Sequence, residues 1–261
     1  MTEKDGILTF ESDKDKNGNE ILNSSQRNNE LIWPTEKEYP KAQYRTSWKN
    51  MCNVTSYVMA LEYAGWKFPK GKFKQPEDNL GYFILTDKSI REKMKKKAPV
   101  MYDLWMKSLE GKCTEKELKY DMYFPTELHD YLSFGANQWL GKEASLFRTD
   151  MPFKLSLWNN MVHNNLPLVI STTFGGFGHI VCCTGVQYKK ADVDNVNIPT
   201  PTAIIVDDPW GKYNPKTNKY DAPNGGNDII VPWDVVIQRV KPADSPDVKW
   251  VHLFQHGIAT I

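Results

Sequence analysis

Apolar positions along the chain change their spacing near residue 165. Within residues 52–165 they recur at intervals of three and four, as at Val54, Val58 and Leu61, which places them on one helix face. From Leu166 onward they form short runs broken by glycine, proline and asparagine, as is typical of β-strands. The first region is therefore predicted to be helical, and the second is predicted to form a sheet.

The clearest helical pattern runs from Val54 to Ala64, and Gly65 follows it as a residue type that ends helices. Further helices are predicted over Pro125–Leu132 and Pro152–Asn164. The basic segment Arg91–Lys97 is predicted to be a solvated helix face. It lacks the interleaved aromatic residues that stack on nucleic-acid bases, so no nucleic-acid partner is expected.

The second region contains five predicted strands: Leu168–Thr172, Ile180–Gln187, Ala203–Val206, Ile229–Val231 and His252–Phe254. Because no long helical pattern separates these runs, the sheet is predicted to be antiparallel. Helices first and strands second indicate an α+β fold. In it, an N-terminal helix and a helical insert over about residues 75–165 pack on a C-terminal antiparallel sheet.

The first 40 residues differ from the rest in composition. They are rich in Lys, Asp, Asn and Glu, and Ile7–Phe10 is their one strand candidate. We expect an extended arm over residues 1–40 that packs weakly, with a surface role favoured over a regulatory one. Residues 41–261 are predicted to form a single domain.

The charges are nearly balanced, with 33 basic and 32 acidic side chains. Such a chain has no bulk field that attracts nucleic acid or an anionic membrane, so a local site must select its partners. No stretch has the length of a membrane span, and the first residues lack the apolar core of a signal peptide. We expect synthesis in the cytoplasm, no membrane insertion and, for any outside role, another route of export. The oligomeric state stays open.

Four cysteines occur, at Cys52, Cys113, Cys182 and Cys183, without the spacing of a disulfide framework. Cys52 comes where the polar stretch Ser47–Met51 gives way to the helical pattern. A helix N-terminus stabilises a thiolate through its unpaired N–H groups and its dipole. Cys52 is therefore a candidate nucleophile, although a cysteine at a helix start is more often a small buried apolar residue.

A base and an acid follow far downstream. His179 comes after the glycine-rich turn Gly175–Gly178 and opens a predicted strand, and these glycines can bring the backbone close to a substrate. The other histidines lack this setting: His129, His163, His252 and His256. Asp207 and Asp208 end the next strand and would face opposite sides of it, which leaves two candidate acids. Cysteine on a helix, then histidine and aspartate at strand ends, is the order of a papain-type site.

A zinc site built from His179, Cys182 and Cys183 is not favoured. Neighbouring strand residues point to opposite faces, and the sequence shows no second ligand pair with zinc spacing. We expect neither a metal nor a cofactor.

Three motifs occur in order: Cys52–Gly65, then Pro167–Ile170 followed by Gly178–Val181 and Thr184–Gly185, and then Asp208–Gly211. Together they resemble the bacteriocin-processing-like, or double-glycine peptidase-like, family of papain-fold cysteine peptidases. The resemblance covers about residues 43–215. The chain departs from the family in two ways: Asn53 and Val54 replace the usual Gly-Pro pair, and the helical insert is long.

The resemblance implies a Cys52 nucleophile, a His179 base and an orienting acid at Asp208 rather than at Asp207. The oxyanion would be held by the Cys52 backbone N–H and by an upstream glutamine, for which Gln43 is the candidate.

The resemblance also implies cleavage of an amide through a thioester, in a peptide or in peptidoglycan, with Gly178 and Trp210 as substrate-binding residues. A phage or bacterial lysin of this kind would be released through a holin or carried on a virion. Two alternatives stay open: a non-catalytic papain-like structural or virion module, and an acyltransferase or deamidase with the same triad. Hydrolysis and transfer share the thioester, so the sequence does not separate them.

Overall fold

The computed structural model describes residues 1–13, 21, 24–118, 124–242 and 246–257. The chain divides into two compact units. The sheet unit comprises Met1–Ser25, Thr55–Lys67 and Ala144–Ile261, and the helical unit comprises Gln26–Val54 and Phe68–Glu143. Within the described residues, no helix combines the length and apolar character needed to cross a lipid bilayer.

The described α-helices are α1 (Cys52–Tyr63), α2 (Pro76–Thr86), α3 (Lys88–Lys97), α4 (Pro99–Leu109), α5 (Glu115–Leu118), α6 (His129–Leu140), α7 (Phe153–Leu157), α8 (Lys190–Asn195) and α9 (Trp233–Arg239). The described strands are β1 (Thr2–Lys4), β2 (Ile7–Glu11), β3 (Ser145–Arg148), β4 (Leu168–Thr172), β5 (His179–Lys189), β6 (Ala203–Asp207), β7 (Lys212–Asn214), β8 (Lys219–Ala222), β9 (Ile229–Pro232) and β10 (Val251–Phe254).

The sheet unit is built around β5. Strand β4 pairs with its first half, where Thr172 lies opposite His179, and β2 pairs with its second half. Strand β6 pairs with β5 and is followed by β9, while β10 and β3 continue the sheet beyond β4. All these pairs are antiparallel. The predicted α+β, papain-like fold class is confirmed.

One apolar core lies against this sheet. Its central members are β-branched or small residues that fit the pleated strands, such as Ile170, Val181, Ile204 and Val206. Phe153 and Leu157 of α7 and Val236 of α9 pack into the same core. A π-helical turn, Trp158–His163, continues α7, so the helix predicted over Pro152–Asn164 is present with a local change of period.

All five predicted strands are present, and β4 has the predicted bounds. The short strands β1, β3, β7 and β8 were not predicted. Strand β3 falls inside the stretch predicted to be helical, where Leu146 is largely exposed. Four residues at the end of a sheet give too short an alternation to separate strand from helix.

The N-terminal segment also differs from expectation. Instead of a weakly packed arm, residues 2–11 form a β-hairpin whose second strand pairs with β5 from Ile7 to Glu11. The strand predicted at Ile7–Phe10 is thus part of the sheet, and Leu8 is buried in it. Its polar neighbours remain compatible with a strand because they alternate toward solvent. The predicted boundary near residue 40 stays a prediction, and residues 14–20, 22 and 23 lie outside the described range.

The helical unit contains α2 to α6. The helix predicted over Pro125–Leu132 appears as a 3₁₀ turn, Pro125–Glu127, followed by α6. The basic segment lies on α3, which buries Ile90 and Met94 and exposes Lys95–Lys97, as expected for a solvated face. Its start is capped by Asp87, which accepts the backbone N–H of Ser89 and Ile90.

Candidate active site

Cys52 is the first residue of α1, after a single 3₁₀ turn at Trp48–Asn50. The first N–H groups of a helix have no partner within the helix, so they are available to a thiolate or an oxyanion. Among the four cysteines, Cys52 is half-buried, whereas Cys113, Cys182 and Cys183 are buried. Burial raises the pKa of the Cys113 and Cys182 thiols. Cys52 is therefore the cysteine best exposed for reaction.

The second turn of α1 is bound to the sheet. The Ser56 hydroxyl donates a hydrogen bond to the Ile180 carbonyl oxygen at 3.0 Å. Ser56 lies four residues after Cys52 and hence on the same helix face. Ile180 directly follows His179 in β5.

The structure brings His179 and Asp208 together. His179 opens β5 and Asp208 directly follows β6, so these antiparallel neighbours place both residues at one end of the sheet. His179 Nε2 lies 2.7 Å from Asp208 Oδ1, and the two residues are 2% and 1% exposed. Such a short, buried contact fixes the orientation of the imidazole ring.

Asp208 is held by further donors. The Trp210 backbone N–H donates to Oδ1 at 2.8 Å, and the Tyr220 hydroxyl donates to Oδ2 at 2.9 Å. The Asp208 backbone N–H donates to the Gly226 carbonyl oxygen at 2.7 Å. A Cβ on Gly226 would lie 2.0 Å from the Asp208 carbonyl oxygen, so only glycine fits this close approach. The carboxylate therefore has a defined orientation toward His179.

Asp207 has different partners. The Tyr63 hydroxyl donates to its Oδ2 at 2.5 Å, and the Asp228 backbone N–H donates to its Oδ1 at 2.9 Å. Of the two aspartates that the strand pattern left open, Asp208 is thus the one bound to His179. Its catalytic role stays a prediction, as do those of Cys52 and His179.

Aromatic and basic groups surround the histidine. The Phe177 ring is 41% exposed, and its centre lies 5.7 Å from the ring centres of both His179 and Trp210. A Cβ on Gly178 would lie 3.2 Å from Lys241 Nζ, so this glycine leaves room for the ammonium group. Gly178 and Trp210, the predicted substrate-binding residues, therefore both lie near His179.

Gln43, the predicted oxyanion donor, has a structural role. Its Nε2 donates to the Cys113 carbonyl oxygen at 2.9 Å, and its Oε1 accepts the Cys113 backbone N–H at 2.8 Å. These bonds hold the side chain on the segment around Cys113. The oxyanion role of Gln43 stays a prediction, and these contacts do not favour it.

Sequence reasoning missed Gln26, which lies far upstream of Cys52. Its side chain is fully buried, and Nε2 donates to the Trp48 carbonyl oxygen at 2.8 Å. Within the described part of the chain, Gln26 Oε1 has no hydrogen-bond partner. Trp48 begins the turn that precedes Cys52, so the buried amide of Gln26 lies beside the turn that leads into the N-terminus of α1. The intervening stretch hides this proximity from any argument based on spacing.

A helix with cysteine at its first position, followed by an antiparallel sheet with a buried His–Asp pair, defines the papain-like class of cysteine peptidases. The model of the Peptidase_C39 like family matches residues 25–227, and the chain belongs to this family. The resemblance inferred from the motifs is thereby confirmed, and family membership supports cysteine peptidase activity. No curated protein and no solved structure matches the chain significantly.

Proposed function

We propose that this protein cleaves an amide bond with Cys52 as nucleophile, His179 as base and Asp208 as the orienting acid. The observation that carries the proposal is the buried His179–Asp208 pair, with 2.7 Å between Nε2 and Oδ1. Three further points support it: family membership, the place of Cys52 at the start of α1, and the bond from Ser56 to the residue after His179.

The proposed reaction begins with proton transfer from Cys52 Sγ to His179. Because Asp208 binds Nε2, the proton goes to Nδ1. The thiolate then attacks the amide carbon, a C–S bond forms, and the carbonyl electron pair moves onto oxygen. Collapse of this intermediate breaks the C–N bond, and the imidazolium gives its proton to the departing amine. Water, deprotonated by His179, hydrolyses the thioester to a carboxylic acid and restores the thiol.

The oxyanion needs donors during this sequence. We assign one to the Cys52 backbone N–H and one to Nε2 of Gln26, in preference to Gln43. Removing an oxyanion donor lowers kcat by about 10²- to 10³-fold. We expect a loss of this size for Gln26→Ala and less than about tenfold for the matched variant Gln43→Ala. Similar losses in both variants would contradict the assignment.

We further propose that the amide lies in the peptide part of bacterial peptidoglycan. The exposed Phe177 ring and Trp210 can cover short aliphatic side chains, and the Lys241 ammonium near Gly178 can pair with a carboxylate. Peptidoglycan stem peptides offer both groups.

The test uses purified cell walls from several bacteria and measures released amines and muropeptides. Parent protein and Cys113→Ala should release both, whereas Cys52→Ala should release neither and should melt near the parent temperature. Release from peptides alone would exclude the peptidoglycan substrate and keep the amide chemistry. No release from either, together with tight binding to walls or to a virion partner, would favour a non-catalytic module.

A further inference from the structure

Three carboxylates outside the proposed catalytic group converge in the sheet unit. Asp13 follows β2, Asp207 ends β6 and Asp228 directly precedes β9. One oxygen atom from each lies within 4.8 Å of the others. Like charges this close repel strongly unless a proton or a cation lies among them.

Asp13 supplies a separate indication of a ligand. This residue is 1% exposed, and within the described part of the chain its buried Oδ1 has no hydrogen-bond partner. Asp207 is also buried, but both of its oxygens accept hydrogen bonds, from Tyr63 and from the Asp228 backbone. The Asp13 carboxyl also lies within hydrogen-bonding reach of the Asp228 carboxyl, so the two need a proton or a cation between them.

The geometry points to a divalent cation of the calcium type bound by Asp13, Asp207 and Asp228. Carboxylate oxygens are the ligands that this hard cation prefers, at about 2.3–2.6 Å. Two ligand oxygens of one such ion lie at most about 5 Å apart, so three oxygens within 4.8 Å of one another can share it. Magnesium dehydrates reluctantly and is usually bound through one or two carboxylates, so a site with two buried carboxylates suits it less well.

The cluster has a route to solvent. Asp228 is exposed and lines a groove of about 470 Å³ together with Glu11 and Ile205. A hydrated ion entering by this groove would meet Asp228 first and the buried Asp13 and Asp207 afterwards. Water from the groove would complete the coordination of calcium, which takes six to eight oxygens in all.

The cation would join three segments of the sheet unit: the end of β2, the end of β6 and the loop before β9. The same loop contains Gly226, whose carbonyl oxygen accepts the Asp208 backbone N–H. Binding would therefore stabilise the turn that presents Asp208 to His179. This role needs no chemistry at Cys52, so it is tested by binding and melting rather than by activity.

The experiment compares the full chain in chelator with the same protein after calcium addition. We expect a higher melting temperature and one calcium per chain by isothermal titration calorimetry, because an ion that binds only the folded state stabilises it. Asp228→Asn, at the exposed ligand, should weaken binding by about tenfold or more, and Asp13→Asn should do the same. The matched control is Asp221→Asn, at an exposed aspartate bonded to Asn214, which should bind calcium like the parent.

Two results would overturn the proposal. One is a parent protein whose melting temperature and titration heats do not respond to calcium, which would mean that a proton neutralises the cluster. The other is a calcium response that persists unchanged in both Asp13→Asn and Asp228→Asn, which would place the ion elsewhere.

Discussion

Asp207 and Asp208, neighbours at the end of β6, have different ionisable groups beside them. Asp208 accepts hydrogen bonds from the Trp210 backbone and the Tyr220 hydroxyl, and its Oδ1 contacts His179. Asp207 lies near two further carboxylates, those of Asp13 and Asp228. Successive residues of a strand face opposite sides of the sheet, so one residue type serves two environments.

Each aspartate accepts one tyrosine hydroxyl and one backbone N–H, so the neighbouring ionisable groups, and not the donors, distinguish the two carboxyl groups. Around Asp208, the donors hold a single acceptor in place beside His179. Around Asp13, burial first, and then the charges of Asp228 and Asp207, raise the pKa of its carboxyl to about 7. The Asp208 side is thus suited to orienting a base, and the Asp207 side to holding a proton or a cation.

The strongest loss of kcat is expected when His179, the partner of Asp208, is replaced. The comparison is with Tyr63, a partner of Asp207. His179→Ala should lower kcat by about 10²- to 10⁴-fold, because it removes the proposed general base. Tyr63→Phe removes a hydrogen bond to Asp207 and should leave kcat within about threefold of the parent. Steady-state kinetics on a substrate amide checks both variants. Comparable losses would mean that the two sides do not differ in function.

Substitution of Asp208 should lower kcat by a smaller factor, and substitution of Asp207 should lower it least. Asp208→Ala removes a hydrogen bond to a charged group, worth about 1.5–3 kcal/mol. That corresponds to about a 10- to 100-fold loss in kcat. Asp207→Asn should change kcat by less than about threefold, since Asp207 binds Tyr63 and the Asp228 backbone. The opposite order of effects would make Asp207 the orienting acid.

Tyr220 is a positioning residue, because its hydroxyl acts on His179 through Asp208. Tyr220→Phe should lower kcat by about fivefold, equivalent to roughly 1 kcal/mol, and leave KM unchanged. A change in KM with constant kcat would instead indicate that the hydroxyl contacts substrate. Tyr213→Phe, which removes the bond to Asn218, is the matched control.

The smallest effect concerns stability and pH. Because the pKa of Asp13 is raised to about 7, the folded protein keeps a proton that the unfolded chain loses near pH 4. In chelator, the free energy of unfolding should therefore fall as the pH rises from about 4 through 7. Tyr63 and Cys182 at the same cluster stay protonated, because burial raises their pKa values. In melting experiments at several pH values, the stability of Asp13→Asn should fall less over this pH range than that of the parent. An equal fall in stability with pH for the parent and Asp13→Asn would contradict the prediction.

The sequence predicted the sheet better than the rest of the molecule. Runs such as Leu168–Thr172 are short, apolar and bounded by turn residues, so their pattern predicts buried β-strands. Strand β3 is short and half-exposed, and its partner β10 is distant in sequence. A strand was predicted at Ile7–Phe10, but its pairing with the distant β5 was not. The proximity of His179 and Asp208 was predictable because each stands at the end of a strong strand signal.

Other contacts that support the two proposals depend on tertiary packing, so the sequence did not predict them. Gln26 reaches Trp48 only because the intervening chain folds back, whereas Gln43, nearer to Cys52 in sequence, binds the Cys113 backbone. The acidic cluster combines residues from three separated segments, and no spacing rule connects them. Sequence separation is therefore a poor guide wherever contacts come from loops.

Cys52 is the proposed nucleophile, and His179 is proposed to activate it by taking its proton. The most direct measurement is the rate of iodoacetamide labelling at each cysteine, followed by peptide mass spectrometry at neutral pH. We expect faster labelling of Cys52 than of Cys113, Cys182 or Cys183, and a marked slowing at Cys52 in His179→Ala. Equal labelling of all four cysteines, or a Cys52 rate that does not change in His179→Ala, would contradict the proposal.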